Sequence, residues 1–255
     1  MSIVPTPVLD TFSELAANYP HARQERLYEA ETILGYADLY HNTEDDAWVG
    51  VLTGGLVRRF FLSGVDEDGG EIVDLDGPPV YPGELLFPGR LALPERYNGL
   101  MGRYAYGLET LTPVRILAID LRALTAVQRN EQAWIDTVLR LLVDHTVEHE
   151  HRLALQSKTV RLRFLYLLLR HLAVSGERVL RYTHEMLGQA LGVNGKRITS
   201  TLKELRARGA VASAQSAGER TGRIEIADPG LLLDFFEEQL SRENARDEAA
   251  LEVGA

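Results

Sequence analysis

Hydrophobic and polar positions change their rhythm near residue 120. Residues 8–18 have the spacing of one short helix, and the chain from there to about 120 alternates in short runs broken by turn chemistry. Segments 48–53 and 56–62 are apolar or alternating and meet at Gly54-Gly55. The run Asp66-Glu67-Asp68-Gly69-Gly70 is a turn ahead of a strand at 71–75. Pro78-Pro79, Pro82-Gly83 and Pro88-Gly89 punctuate the next stretch, and 114–119 is a last apolar strand. Short strands so closely spaced predict a small antiparallel β-barrel or roll.

Beyond 120 helix formers take over. Residues 132–158 contain neither Gly nor Pro, which permits one unbroken helix of about seven turns. Ile135, Val138, Leu142, His145, His149 and Leu153 recur three and four apart, a seam expected to pair with the same seam of a second copy; packing against the β domain is the alternative. Residues 159–173 form another helix, with Leu162, Leu165, Tyr166, Leu169 and Leu172 on one side, closed by Ser175-Gly176. The Ala/Glu-rich tail after Ser241 reads as a frayed helix or disorder.

The run from Thr183 to Leu202, THEMLGQALGVNGKRITSTL, has the layout of a helix-turn-helix. Thr183 can cap the first helix, Gly188 is small where two helices would touch, and Gly192 supplies a left-handed turn. Leu187, Leu191, Val193, Ile198 and Leu202 would hold the pair together. Asn194, Lys196, Arg197, Thr199, Ser200 and Lys203 would be exposed on the second helix, donors suited to base edges and phosphates. Gly195 at its start is expected to allow close approach to DNA. Residues 210–214 and 223–227, joined by a polar turn, read as a two-stranded wing with Arg220 and Arg223 placed for phosphates.

Charge sharpens this reading. The net charge of -10 is the wrong sign for a nucleic-acid binder, yet residues 158–226 hold 13 Lys/Arg against 5 Asp/Glu, with acidic stretches on both sides. A basic block on an acidic body is the footprint of a phosphate-facing domain. At 255 residues, 45% hydrophobic, the chain can bury a sizeable core. It has no apolar run near the ~18 residues of a membrane span and no signal-peptide pattern, so a soluble cytoplasmic protein is expected, without membrane partners. The absence of cysteine excludes disulfides, thiol switches and thiolate-held clusters.

The order of parts resembles the CRP/FNR superfamily of bacterial transcription regulators, on Gly83-Glu84-Leu85 after the hairpins, the strand at 114–119 leading to the long helix, and the run 183–202. The resemblance covers roughly residues 20–230. It implies an α+β fold: a cyclic-nucleotide-binding-like β-roll at 1–120, a dimerisation helix at 121–158, a winged helix-turn-helix at 159–230, then a helix at 231–240 within a C-terminal segment 231–255. It also implies a homodimer on double-stranded DNA and contact with RNA polymerase. By the same resemblance base reading falls at Gly195, Lys196 and Ser200, with Lys196, Asn194 and Arg197 expected to discriminate.

In that family Gly-Glu meets a ribose and a later Arg-Ser pair meets a cyclic phosphate. Here Gly83, Glu84 and Leu85 stand at the first place, but Tyr104-Ala105 stands at the second and Arg103 is one position off. Thr146 matches an adenine-contacting threonine. A cyclic phosphate without its cation loses its strongest contact, so the expectation is a regulator independent of cyclic AMP or using another effector, with no resident cofactor. A cyclic-AMP-dependent regulator is the alternative, as is a cyclic-nucleotide-binding subunit with no DNA role. His145, Glu148 and His149 also match the H-x-x-E-H pattern of zinc hydrolases, a remote enzyme reading, or a metal or pH switch across the helix seam. The expected answer is no enzyme and no metal.

Overall fold

The computed structural model describes residues 5–36, 48–65, 71–76, 79–86, 105–120, 122–124, 128, 131–213 and 222–253; side chains are described for all of these except 35–36, 61–65, 71–76, 105–107, 213 and 250–253. The chain divides into two compact units, one of Thr6–His149 and one of Met1–Pro5 with Glu150–Ala255.

The first unit opens with helix α1 (Pro7–Asn18), whose proline sits in the first turn where a missing N–H costs nothing. Among the described residues eight strands follow: β1 (Arg23–Tyr28), β2 (Ile33–Tyr36), β3 (Trp48–Gly54), β4 (Val57–Val65), β5 (Glu71–Asp76), β6 (Leu85–Leu86), β7 (Ala105–Thr110) and β8 (Val114–Asp120). They form two antiparallel sheets, ordered β1-β8-β3-β6 and β2-β7-β4-β5. This is the β-roll that the alternating runs predict.

Strand β8 pairs with β1 on one side and β3 on the other, so Val114, Ile116, Ala118 and Ile119 are buried. Gly50 on β3 carries no side chain because a Cβ would meet Ile116 Cγ2 at 2.6 Å. Gly55, at φ +89°, makes the turn into β4 directly over the Pro113 carbonyl, as its place in the sequence predicts.

The long helix is α2 (Gln132–Gln156), and the division between the units falls within it, after His149. In the first unit its Leu141 joins Val8, Phe12, Leu15 and Ala16 of α1 and Ile119 of β8 in one buried cluster, with Trp134 and Val138 packed against it. Thr11 donates to Asp144 at 2.6 Å, and Arg140 pairs with Glu14 at 2.8 Å.

This changes the expected seam. Val138 faces the core and His145 is half-buried, while the exposed row runs Ile135, Leu139, Leu142, Thr146, His149, Leu153, at spacings of four and three, flanked by Val143 and Val147. The helix is apolar on two faces at once. Periodicity alone merges them, and burial of Leu141 tells them apart.

In the second unit α3 (Val160–Ser175) is capped by Thr159, whose side chain accepts from Leu162 N–H, and ends at Gly176 in the left-handed region. Its residues 164–172 are all buried. Strand β9 (Val179–Arg181), helices α4 (His184–Ala190) and α5 (Gly195–Ala207), and strands β10 (Val211–Ser213) and β11 (Arg223–Ile226) follow. The wing is three-stranded, ordered β10-β11-β9, because β9 joins the predicted pair.

The last helix, α6 (Pro229–Val253), corrects the expected short helix and frayed tail. Thr159 donates from its backbone N–H (3.1 Å) and its hydroxyl to the Glu243 carboxylate, and Lys158 reaches Asn244 and Asp247. Charged residues that read as a solvated tail are tied to the start of α3.

Candidate nucleic-acid interface

Helices α4 and α5 meet through glycine. A Cβ on Gly188 would stand 2.5 Å from the Val193 carbonyl oxygen, and one on Gly195 would stand 3.0 Å from the His184 carbonyl oxygen. Gly195 therefore brings the two helices together, a different task from the close approach to DNA expected of it. Gly192 takes the left-handed turn between them at φ +63°, as expected. Leu187, Leu191, Ile198, Leu202 and Leu205 are buried beneath.

Two predicted contact residues hold helix ends. Thr183 Oγ1 accepts from Met186 N–H at 3.1 Å and caps α4; Asn194 Oδ1 accepts from Lys196 N–H at 2.9 Å and caps α5. Capping uses acceptor lone pairs only, and leaves the Thr183 hydroxyl hydrogen and the Asn194 side-chain amide as donors. Thr199 is exposed, but its hydroxyl donates to the Gly195 carbonyl at 3.1 Å and lies 2.9 Å from His184 Nδ1.

Lys196, Ser200 and Lys203 are exposed and fall within an arc of about 60° opposite the buried Ile198-Leu202-Leu205 side. Arg197 lies about 100° round from Lys196. It faces a pocket shared with Arg161, Arg242 and Arg246. Arg223 is exposed on β11, across from Arg181 of β9. Arg220 lies outside the described residues.

Sequence reasoning did not find His184, Arg161, Gln239, Arg242 or Arg246 as site residues. The last three sit on α6, in a stretch whose composition gives no local signal of packing. Burial, and then the nearby Arg206 charge, holds His184 below the ordinary histidine value.

In the β unit the expected effector residues are built into the sheet. Gly83, at φ +82°, donates to Leu52, and Leu85 pairs with Val51. Glu84 is only 3% exposed; its carboxylate accepts from Arg59 at 2.7 Å and from Tyr81 N–H at 3.1 Å. The Thr146 hydroxyl donates to the Leu142 carbonyl of its own helix at 2.8 Å. Arg103 and Tyr104 lie outside the described residues.

His145 and His149 stack with ring centres 6.1 Å apart, while Glu148 is buried and accepts from Val8 N–H at 3.4 Å. Among the described residues no group of three or more His, Asp or Glu is placed to hold a metal ion. No helix among them is long and apolar enough to cross a membrane.

No family model and no curated protein matches the chain. Solved structures do. A protein from Silicibacter pomeroyi assigned as a cAMP-binding regulatory protein superposes with a TM-score of 0.50 at 18% identity, over 88% of this chain and 91% of that one. A CRP/FNR-family transcriptional regulator from Thermus thermophilus aligns at 20% identity over 85% of this chain and 100% of its own, TM-score 0.47. A CRP/FNR-family regulator from Eubacterium rectale aligns at 15% identity over 92% and 95%, TM-score 0.46. The α+β fold is the expected one, a β-roll, a long helix and a winged helix-turn-helix, and the Silicibacter pomeroyi structure shares it.

Proposed function

We propose that the protein is a sequence-specific DNA-binding transcription regulator of the CRP/FNR type. The observation that carries this reading is α5. It presents Lys196, Ser200 and Lys203 on one face and buries Ile198, Leu202 and Leu205 on the other, and α4 fixes it through glycine contacts that leave no play. A rigid helix with a donor-rich outer face, followed by a small antiparallel wing, suits a major groove with phosphates at its rim. Asn194, Arg197 and Arg223 supply further donors at its edges.

The reading takes the protein as a homodimer joined along the exposed row of α2, where Leu139 is 56% and Leu142 43% exposed. Apolar positions alternating four and three apart are what a two-stranded coiled coil buries. A dimer reads a near-palindromic site with half-sites about one helical turn, ~34 Å, apart. Contact with RNA polymerase and a cytoplasmic location belong to the same proposal, as does the absence of catalysis.

Regulation by cyclic AMP is not part of it. The Glu84 carboxylate is held by Arg59 and Tyr81, and the Thr146 hydroxyl by Leu142, which supports a regulator that works without that ligand or with another one. Footprinting on genomic fragments with and without cyclic AMP tests both parts. Paired protected half-sites without the nucleotide support the reading, protection only with it overturns the effector part, and no protection in either case overturns a regulator that works without a ligand.

A further inference from the structure

Where the start of α3, the flank of α5 and the middle of α6 meet, they line an open pocket of about 550 Å³ within the second unit. Four guanidinium groups line it: Arg161, Arg197, Arg242 and Arg246. Two are already paired, Arg161 with Glu204 at 3.0 Å and Arg242 with Glu238 at 2.5 Å. Arg197 and Arg246 make no ion pair or side-chain hydrogen bond with any described residue. The one carboxylate in the lining, Glu243, accepts both the backbone N–H and the hydroxyl of Thr159.

Gln239 gives the second, independent observation. It is only 7% exposed, and its Oε1 accepts from Arg161 Nη1 at 3.3 Å. Arginine only donates, so this bond fixes which way the amide points. The Nε2 group is left buried with no acceptor. A buried donor left unmet is costly and asks for an acceptor that the protein itself does not provide. The lining is thus rich in donors and short of acceptors, on a face shared with the recognition-type helix.

We propose that this pocket is a phosphate-class anion site, with Arg197 and Arg246 donating to the anion's oxygens and Gln239 Nε2 supplying the third contact. Planar guanidinium groups meet phosphate oxygens with paired, charge-assisted hydrogen bonds, and an amide N–H₂ adds a directional one. The phosphate comes either from a DNA backbone lying along α5 or from a free phosphate-bearing small molecule. The first source rests on the DNA-binding reading above and the second does not. In either case α6 is part of a binding site.

The test uses the full-length protein and two variants. Arg246→Ala removes one unpaired cation, and Gln239→Leu removes the buried donor at constant charge; circular dichroism checks that both remain folded. DNA affinity is measured against salt concentration, and inorganic phosphate and pyrophosphate are titrated by calorimetry. For a DNA phosphate, Arg246→Ala weakens binding to all sequences alike and lowers the salt slope by about one, while Gln239→Leu weakens binding with the slope unchanged. For a free anion, wild-type protein gives a binding heat that both variants lose, and DNA binding is untouched. The proposal is overturned if neither anion binds wild-type protein and both folded variants keep its DNA affinity and slope. If wild-type protein binds no DNA at all, the DNA-binding reading falls, and the phosphate titration alone decides the pocket.

Discussion

His184 Nδ1 stands 2.9 Å from the Thr199 hydroxyl, fastening the first turn of α4 to the second turn of α5. Burial first, and then the Arg206 charge, lowers the His184 pKa from its ordinary 6.5, so the folded protein favours the neutral ring. The unfolded chain takes up this proton more readily. The stability that neutral His184 contributes is therefore fully present above pH 6.5 and is lost as pH falls through the lowered value. Thermal melts at pH 7.5 and pH 5 should show a loss on acidification that is smaller in His184→Asn. An equal loss in both proteins would contradict this.

The glycines at the helix junction should differ in sensitivity. At Gly188 an added methyl group meets the backbone at Val193 and Gly195, which cannot step aside, so Gly188→Ala should cost about 1–3 kcal/mol. At Gly192 nothing lies within 4 Å, and Gly192→Ala carries only the left-handed backbone penalty, about 1 kcal/mol. Urea unfolding measures both. A Gly192→Ala cost exceeding that of Gly188→Ala would contradict the close packing.

Because Leu139 and Leu142 are exposed on α2, charge placed there has little effect on the fold of one chain and a large effect on pairing. Leu139→Glu with Leu142→Glu should sediment as a folded monomer at concentrations where the wild type is a dimer. It should also lose most of its affinity for a two-half-site DNA. A variant that stays dimeric would move the interface elsewhere.

The Arg59–Glu84 pair is mostly buried. Glu84→Ala leaves the Arg59 guanidinium without this carboxylate, and the expected loss is about 3 kcal/mol. Cyclic AMP should leave the wild-type melting temperature unchanged, since binding to the native state alone would raise it. A clear rise with cyclic AMP would mean that Glu84 can exchange Arg59 for a ribose.

How far the sequence could be read depended on how local the physics was. Thr183, Gly188 and Gly192 act within a few residues of themselves, so the helix-turn-helix could be read from its spacing. The break from two-residue to helical periodicity likewise separated the roll from the helices. Strand order could not be read this way, because β8 lies between β1 and β3 through pairings between about sixty and nearly a hundred residues apart. The expected seam included Val138 and His145, where the structure exposes Leu139 and Thr146 instead, since α2 carries apolar residues on both its inner and outer faces. Gly195 also packs against the His184 backbone, a contact that its position in the sequence did not show. The Arg161–Arg246 pocket joins the basic block to residues of the acidic C-terminal helix, and Glu243, Asn244 and Asp247 looked like tail until Thr159 and Lys158 gave them partners.

The central claim is that the outer face of α5 reads DNA. It is tested most directly by comparing wild type and Lys196→Ala for affinity and sequence preference on sites recovered by genomic footprinting, at moderate salt and without added ligand. The account predicts paired half-sites about one helical turn apart for the wild type, and for Lys196→Ala weaker binding with relaxed preference at a fixed position in each half-site. Failure of the wild type to protect any site, or a Lys196→Ala protein that binds the same sites with unchanged affinity and preference, would contradict it.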